Sequence, residues 1–233
     1  PHGEVFDVGN ATRKALMRFQ SGSAPLECGG LSDHDNGNGS LMRILPIVYY
    51  ILANYGTEIT ENEEAMKIIH NVSALTHAHI RSLIACGIYC SIAAMLIGSL
   101  ELSTAVSLGI SKAVEFYRRH EEYSDELSHY ERLNNKSFAS VPAEEIKSSG
   151  YVVDTLEAAV WCLLNSYNYK ECVLTAVNLG EDTDTVAAIA GGLAGLYYGY
   201  GSIPQEWLSV IVRLDYVEGI CSKLYEALSQ RNF

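Results

Sequence analysis

Apolar residues recur along this chain at spacings of three and four, and strict apolar–polar alternation does not persist beyond about four residues. That pattern predicts helices and no sheet. Leu16 and Phe19 mark a first helix ending near Phe19, with Asn10 or Asp7 as its cap. A loop rich in Gly, Ser, Asp and Asn covers 21–38. An apolar helix follows over 39–54; Pro46 either kinks it or marks its first turn, and Gly56 stops it. Thr60-Glu61-Asn62-Glu63 reads as a capping box for the next helix. Long helices are expected over 77–98 and 103–119. The polar stretch 121–150, interrupted by Pro142, reads as an irregular excursion with a short helix after the proline. Helices resume over 152–165, 170–179 and 185–198, and two more open at Pro204 and run to about Gln230. With no internal repeat and no low-complexity run, the chain reads as one all-α domain over residues 1–233.

Composition narrows the class. The chain has 233 residues, 48% of them hydrophobic, and a mean hydropathy of +0.06. At 25.5 kDa the expected folded surface is roughly 10,000 Å² of about 37,000 Å² unfolded, which leaves a sizeable core. Lys+Arg 16 against Asp+Glu 28 gives a net charge of −12, which excludes a basic face for nucleic acid. Two stretches without a charge, 82–100 and 186–205, are long enough to span a bilayer. Both are diluted with Gly, Ala, Ser or Cys rather than loaded with Leu and Phe and lack flanking basic clusters, so they read as core helices and no membrane partner is expected. Pro1-His2-Gly3-Glu4 opens no secretory leader, and the six cysteines contain no C-x-x-C pair. Cys86 and Cys90, four apart, could share a helix face toward a metal, but free cysteines are ordinary buried residues. A reducing cytoplasm is the expected setting.

Three segments carry candidate chemistry. In Gly180-Glu181-Asp182-Thr183-Asp184-Thr185, two aspartates and a threonine directly precede an apolar helix. Such residues cap helices, yet a cap needs one of them, and the set also offers hard oxygens suited to Mg²⁺, Mn²⁺ or Ca²⁺. In the helix behind, Gly191, Gly195 and Gly199 recur every four residues, a spacing that permits close backbone approach. The second segment, Asp35 to Arg43, contains Gly37-Asn38-Gly39-Ser40 ahead of an expected helix start. It is either a plain turn or a cradle of backbone amides for an anion such as a diphosphate. In the third, Leu75 to Arg81, His77 and His79 are two apart and do not share a helix face. His77, with Thr76 as cap, stands at a helix start as either a structural residue or a ligand donor.

Taken in order, Gly37-Asn38-Gly39-Ser40-Leu41-Met42-Arg43, Thr76-His77 and Asp182-Thr183-Asp184-Thr185 with its Gly-rich helix resemble the ADP-ribosylglycohydrolases. Gly150-Tyr151-Val152-Val153-Asp154-Thr155-Leu156 and Asp7-Val8-Gly9 fit the bacterial members. The resemblance implies a compact orthogonal multi-helix fold, two Mg²⁺ (or Mn²⁺) ions, and hydrolysis at the anomeric carbon of ADP-ribose linked to a protein side chain or small molecule. By position it makes Asp182, Asp184 and Thr185 metal ligands, with the two aspartates serving catalysis. Gly37, Asn38, Gly39, Ser40, His77 and Tyr151 become ligand contacts. The family's earlier Thr-Asp-Asp-Thr motif does not occur; the one Thr-Asp pair is Thr183-Asp184. The chain therefore reads as truncated ahead of its first residue relative to the family, with a half-built metal set. Two expectations follow: an ADP-ribosyl hydrolase, or an ADP-ribose-binding protein with impaired catalysis. An aspartyl-phosphatase reading of Asp182-Thr183-Asp184-Thr185-Val186 needs a buried strand that the helical pattern does not offer.

Overall fold

The computed structural model describes residues 8–229. Among them every regular element is helical, and extended pairing is confined to two isolated bridges, Gly30 with His77 and Gly37 with Tyr151. The helices are α1 (Asn10–Gln20), α2 (Pro46–Tyr55), α3 (Glu63–Ala74), α4 (Ile80–Ile97), α5 (Leu102–Arg118), α6 (Ser124–Leu127), α7 (Val152–Leu164), α8 (Tyr169–Asn178), α9 (Thr183–Tyr198), α10 (Gln205–Leu208) and α11 (Leu214–Ser229). Asp7 and Gln230, invoked above as a cap and an end, lie outside the described residues.

α4 is the axis of the molecule. Its residues are apolar on every side, so it has no solvent face to offer, and it is enclosed by α2, α3, α5, α7 and α9. It is long and apolar enough to cross a membrane, and 78% of it is buried inside the protein. α5 packs hardest against it: a Cβ added at Gly109 would lie 2.6 Å from the Ile92 Cα and 2.8 Å from its N. One contiguous core joins Ile84, Ile88 and Ile92 of α4 to Leu156 and Val160 of α7 and to Val186, Ile189 and Leu193 of α9.

Several boundaries differ from the sequence reading. The expected 39–54 helix is two pieces, a 3₁₀ turn over Leu41–Arg43 and α2 beginning at Pro46. The proline ring fits a first helical position, where no amide is needed, so nothing is kinked. Thr60 does not cap α3. It lies buried in a 3₁₀ turn over Ile59–Glu61, while Asn62, in extended backbone, accepts from the Ala65 amide at 3.1 Å. Asn10 is the first residue of α1 and Gly9 precedes it without a side-chain cap. The 121–150 excursion contains α6 and four 3₁₀ turns, the last over Ala143–Glu145 after Pro142. It is pinned where Tyr130 donates to the Arg81 carbonyl at 2.6 Å, where the Trp161 indole donates to the Val141 carbonyl at 2.9 Å, and where Arg132 lies 3.4 Å from the buried Glu157.

The glycines of α9 act differently from one another. Gly192 is the most crowded, where an added Cβ would sit 2.7 Å from the Tyr89 hydroxyl of α4, and at Gly191 one would meet the side chains of Tyr169 and Val173 at 3.3 Å. Gly195 would make an ordinary contact, and Gly199 ends the helix at φ +81° in open space. The every-four spacing is therefore not a continuous seam of backbone approach.

Candidate functional site

Four connections meet on one side of the core: 29–40, the turn from α3 to α4, the stretch before α7, and the turn from α8 to α9. The last is shaped by left-handed backbone at Gly180 (φ +89°) and Glu181 (φ +53°). It is tied down where the Asp182 amide donates to the Ser148 carbonyl at 3.1 Å and the Ser148 hydroxyl to the Gly180 carbonyl at 3.0 Å. α9 starts at Thr183, two residues earlier than expected, so Asp184 and Thr185 occupy its first turn. Asp182 precedes the helix without capping it by its side chain. Its Oδ2 instead accepts from the Asn38 side-chain amide at 2.6 Å.

Asn38 is the hub of the arrangement. Its backbone amide donates to the Gly150 carbonyl at 3.0 Å, and the Val152 amide donates to the Asn36 carbonyl at 3.0 Å, which pairs Gly37 with Tyr151. Its side-chain nitrogen also donates to the Thr155 hydroxyl at 2.9 Å. Thr155 gives its own hydrogen to the Ser149 carbonyl at 2.8 Å, so it must accept from Asn38. Both hydrogens of the Asn38 amide are thus committed within the protein. Gly150 is small for a reason: a Cβ there would come within 3.3 Å of the Asp182 carboxylate. Ser40 is buried and receives the Cys86 thiol at 3.6 Å. No α-helix begins after Ser40, only the 3₁₀ turn Leu41–Arg43, so the expected helix-terminus cradle for an anion is not what this loop forms.

His77 is buried in the turn ahead of α4 and does not begin that helix. His79 caps it, its Nδ1 accepting from the Arg81 amide at 3.2 Å. The His77 backbone pairs with Gly30, and its ring stands over the glycine loop: an added Cβ at Gly39 would be 2.9 Å from Cε1. Arg43 braces both parts, donating to the Gly39 carbonyl at 2.6 Å and to the Thr76 hydroxyl at 2.7 Å. Burial above all, with the Arg43 charge adding to it and Asp35 opposing, pushes the His77 pKa down to about 4.

Tyr151 is half-buried, with the Arg81 guanidinium 5.7 Å from its ring centroid. Arg81 also bonds Glu126 at 2.6 Å and lies 3.9 Å from Asp33. Asp33, His79 and Glu126 could bring ligand atoms within 4.8 Å of one another. There His79 accepts at Nδ1, which leaves its Nε2 to donate to Asp33 at 3.2 Å, and Arg81 already offsets the carboxylates.

The structure therefore gathers Gly37, Asn38, Gly39, Ser40, His77, Tyr151 and Asp182 about one loop. Asp184 remains exposed, its Oδ1 accepting from the Thr185 amide at 2.9 Å. Sequence reasoning missed Thr155, Gly150, Ser148 and Arg43 as organisers of the site. Arg43, Gly150 and Thr155 stand inside the motifs quoted above, which was the available signal.

A family model described as ADP-ribosylglycohydrolase matches residues 1–232. The chain is 28% identical to the ADP-ribosylarginine hydrolase Tri1 of Pseudomonas putida (strain GB-1), over 98% of this chain and 56% of that protein. It is 29% identical to the ADP-ribosyl-[dinitrogen reductase] glycohydrolase of Rhodospirillum rubrum, over 87% of this chain and 59% of that one. A solved structure titled ADP-ribosylglycohydrolase-related protein complex superposes with a TM-score of 0.70 at 28% identity, covering 94% of this chain and 69% of its own. The chain spans a little over half the length of these curated relatives.

Proposed function

Since the chain belongs to the ADP-ribosylglycohydrolase family, we propose that it acts in the hydrolysis of ADP-ribose from a modified protein side chain or small molecule, by attack at the anomeric carbon. Arginine-linked ADP-ribose is the first substrate class to test, because two relatives are named ADP-ribosylarginine hydrolases. The observation that carries the reading is the 2.6 Å bond from Asn38 to Asp182, which joins the glycine loop to the acidic turn of α9.

Asp182, Asp184 and Thr185 are all oxygen donors, a set matched to Mg²⁺ or Mn²⁺. Gly150 leaves the Asp182 carboxylate uncrowded. These three residues would hold the ion. When bound, such an ion positions ribose hydroxyls and lowers the pKa of water. The protein's own part is orientation. Asn38 fixes the Asp182 carboxylate, Gly37 to Ser40 let backbone come close to a ligand, and His77 offers a neutral ring above them. Tyr151, held beside Arg81, supplies a flat face for a ribose or adenine ring. A reducing cytoplasm suits the five buried free cysteines.

The test is release of ADP-ribose from ADP-ribosylarginine protein with and without Mg²⁺. Metal-dependent release lost in Asp184→Asn supports the reading, and release indifferent to EDTA and to that change overturns it. Asn38→Ala should weaken Mn²⁺ binding about tenfold, since a bond to a charged group is lost. A second reading, ADP-ribose binding without turnover, rests on the glycine loop and His77 being assembled together while Asp184 stays exposed. Binding of ADP-ribose in calorimetry together with no release from ADP-ribosylarginine protein selects the second reading.

A further inference from the structure

Arg43, Thr76 and His77 form a line of hydrogen bonds. A guanidinium only donates, so the Thr76 hydroxyl, 2.7 Å from Arg43, accepts from it. That hydroxyl has one hydrogen, and its other partner, at 2.7 Å, is the His77 Nδ1. The oxygen could accept from both neighbours, but its own hydrogen has no other acceptor among the described residues, so the arrangement that satisfies it has Thr76 donating to Nδ1 and the proton of the neutral ring on Nε2. Among the described residues no hydrogen bond is formed at Nε2, although His77 is only 2% exposed. That nitrogen faces the glycine loop; added Cβ atoms would lie 3.6 Å away at Gly37 and 3.3 Å away at Gly39.

Arg43 has the features of a dedicated support. It is half-buried and donates to two carbonyls, of Gly39 and Val72 (3.3 Å), as well as to Thr76. It forms no ion pair with a carboxylate among the described residues. One guanidinium thus fixes both the loop beneath the imidazole and the hydroxyl that orients it.

We propose that Arg43 and Thr76 are positioning residues that lock His77 in its Nε2–H form, as a neutral donor aimed across Gly37 and Gly39 at an oxygen of the bound ligand. The ligand part rests on the function proposed above; the tautomer does not. A neutral donor suits a site that must also accept ADP-ribose release, because it grips an oxygen without the salt-sensitive hold of a second cation beside Arg43.

Long-range ¹⁵N–¹H correlation spectra of the ¹⁵N-histidine-labelled protein near pH 7 test it. His77, assigned by loss of its signals in His77→Ala, should give the pattern of a bare Nδ1 and a protonated Nε2. Thr76→Val should shift it toward the other tautomer or an average of the two, and Thr76→Ser should restore it, with helical circular dichroism equal in all three. ADP-ribose should move the Nε2 resonance and bind about tenfold more weakly to Thr76→Val, the cost of one misdirected hydrogen bond. A protonated Nδ1 in the unsubstituted protein, or a Thr76→Val spectrum unchanged while the fold is retained, overturns the proposal. The expected tautomer with no response to ADP-ribose upholds the lock and overturns the ligand.

Discussion

At the scale of single residues, proton bookkeeping decides how the molecule responds to acid. His70, buried between α3 and α5, is held by two tyrosines. Tyr117 donates to the Leu83 carbonyl at 3.2 Å and so accepts from Nε2 at 2.9 Å, leaving Nδ1 to accept from Tyr123 at 3.2 Å. The ring is satisfied only as a neutral group, and burial, with His120 adding to it, pushes its pKa from 6.5 to about 4. The depressed value fixes the sign. Stability from this residue is complete above pH 6.5 and is lost as the pH falls toward 4, by at most about 3 kcal/mol. His77 acts in the same direction. Urea midpoints should therefore fall between pH 7 and pH 4.5, and an unchanged midpoint would contradict the assignment. Residue identity alone revealed part of this. Asn38 and Thr76-His77 stand out in the sequence, but Asp182, which Asn38 bonds, lies 144 positions away, and Arg43, which bonds Thr76, lies 33 away. No local spacing encodes such pairs.

Single elements carry two further expectations. Glu181 holds a left-handed φ of +53° ahead of α9, a conformation that costs a residue with a side chain roughly 1–2 kcal/mol. Glu181→Gly should stabilise by about 1 kcal/mol net of glycine's greater chain entropy, or about 2–4 °C in Tm. Gly109→Ala should do the reverse. Helix propensity favours alanine by about 1 kcal/mol, but the new Cβ would meet the Ile92 backbone at 2.6 Å, and backbone does not yield as a side chain can. A Tm lower by several degrees is expected in a thermal melt. Elements were the most legible scale, since three- and four-residue periodicity locates α3 to α5 and α7 to α9 within a few residues. The errors fall at ends, where several polar residues compete to cap. Thr60 and Asn62 both qualify by type, and only the backbone conformation at Asn62 decides between them.

The whole molecule exposes more than its mass implies, 12,512 Å² against the roughly 10,000 Å² of the scaling law. The sequence concealed this because α11 has an amphipathic pattern yet buries only Leu228 among its apolar residues. Val210 and Val212, just before it, are 75% and 71% exposed. Changing both to serine should raise solubility and lower binding of a hydrophobic dye while leaving Tm within a degree or so, because exposed sites contribute little to stability. The hub at Asn38 has a different reach. Its bonds to Thr155 and Asp182 close loops of 117 and 144 residues, and contacts so distant in sequence are entropically expensive to form early. Helices can appear within microseconds of the start of refolding, whereas this junction waits for both halves of the chain to dock. The order of events is then built into the topology: the Asn38 junction is the last part of the molecule to assemble on folding and the first to come apart.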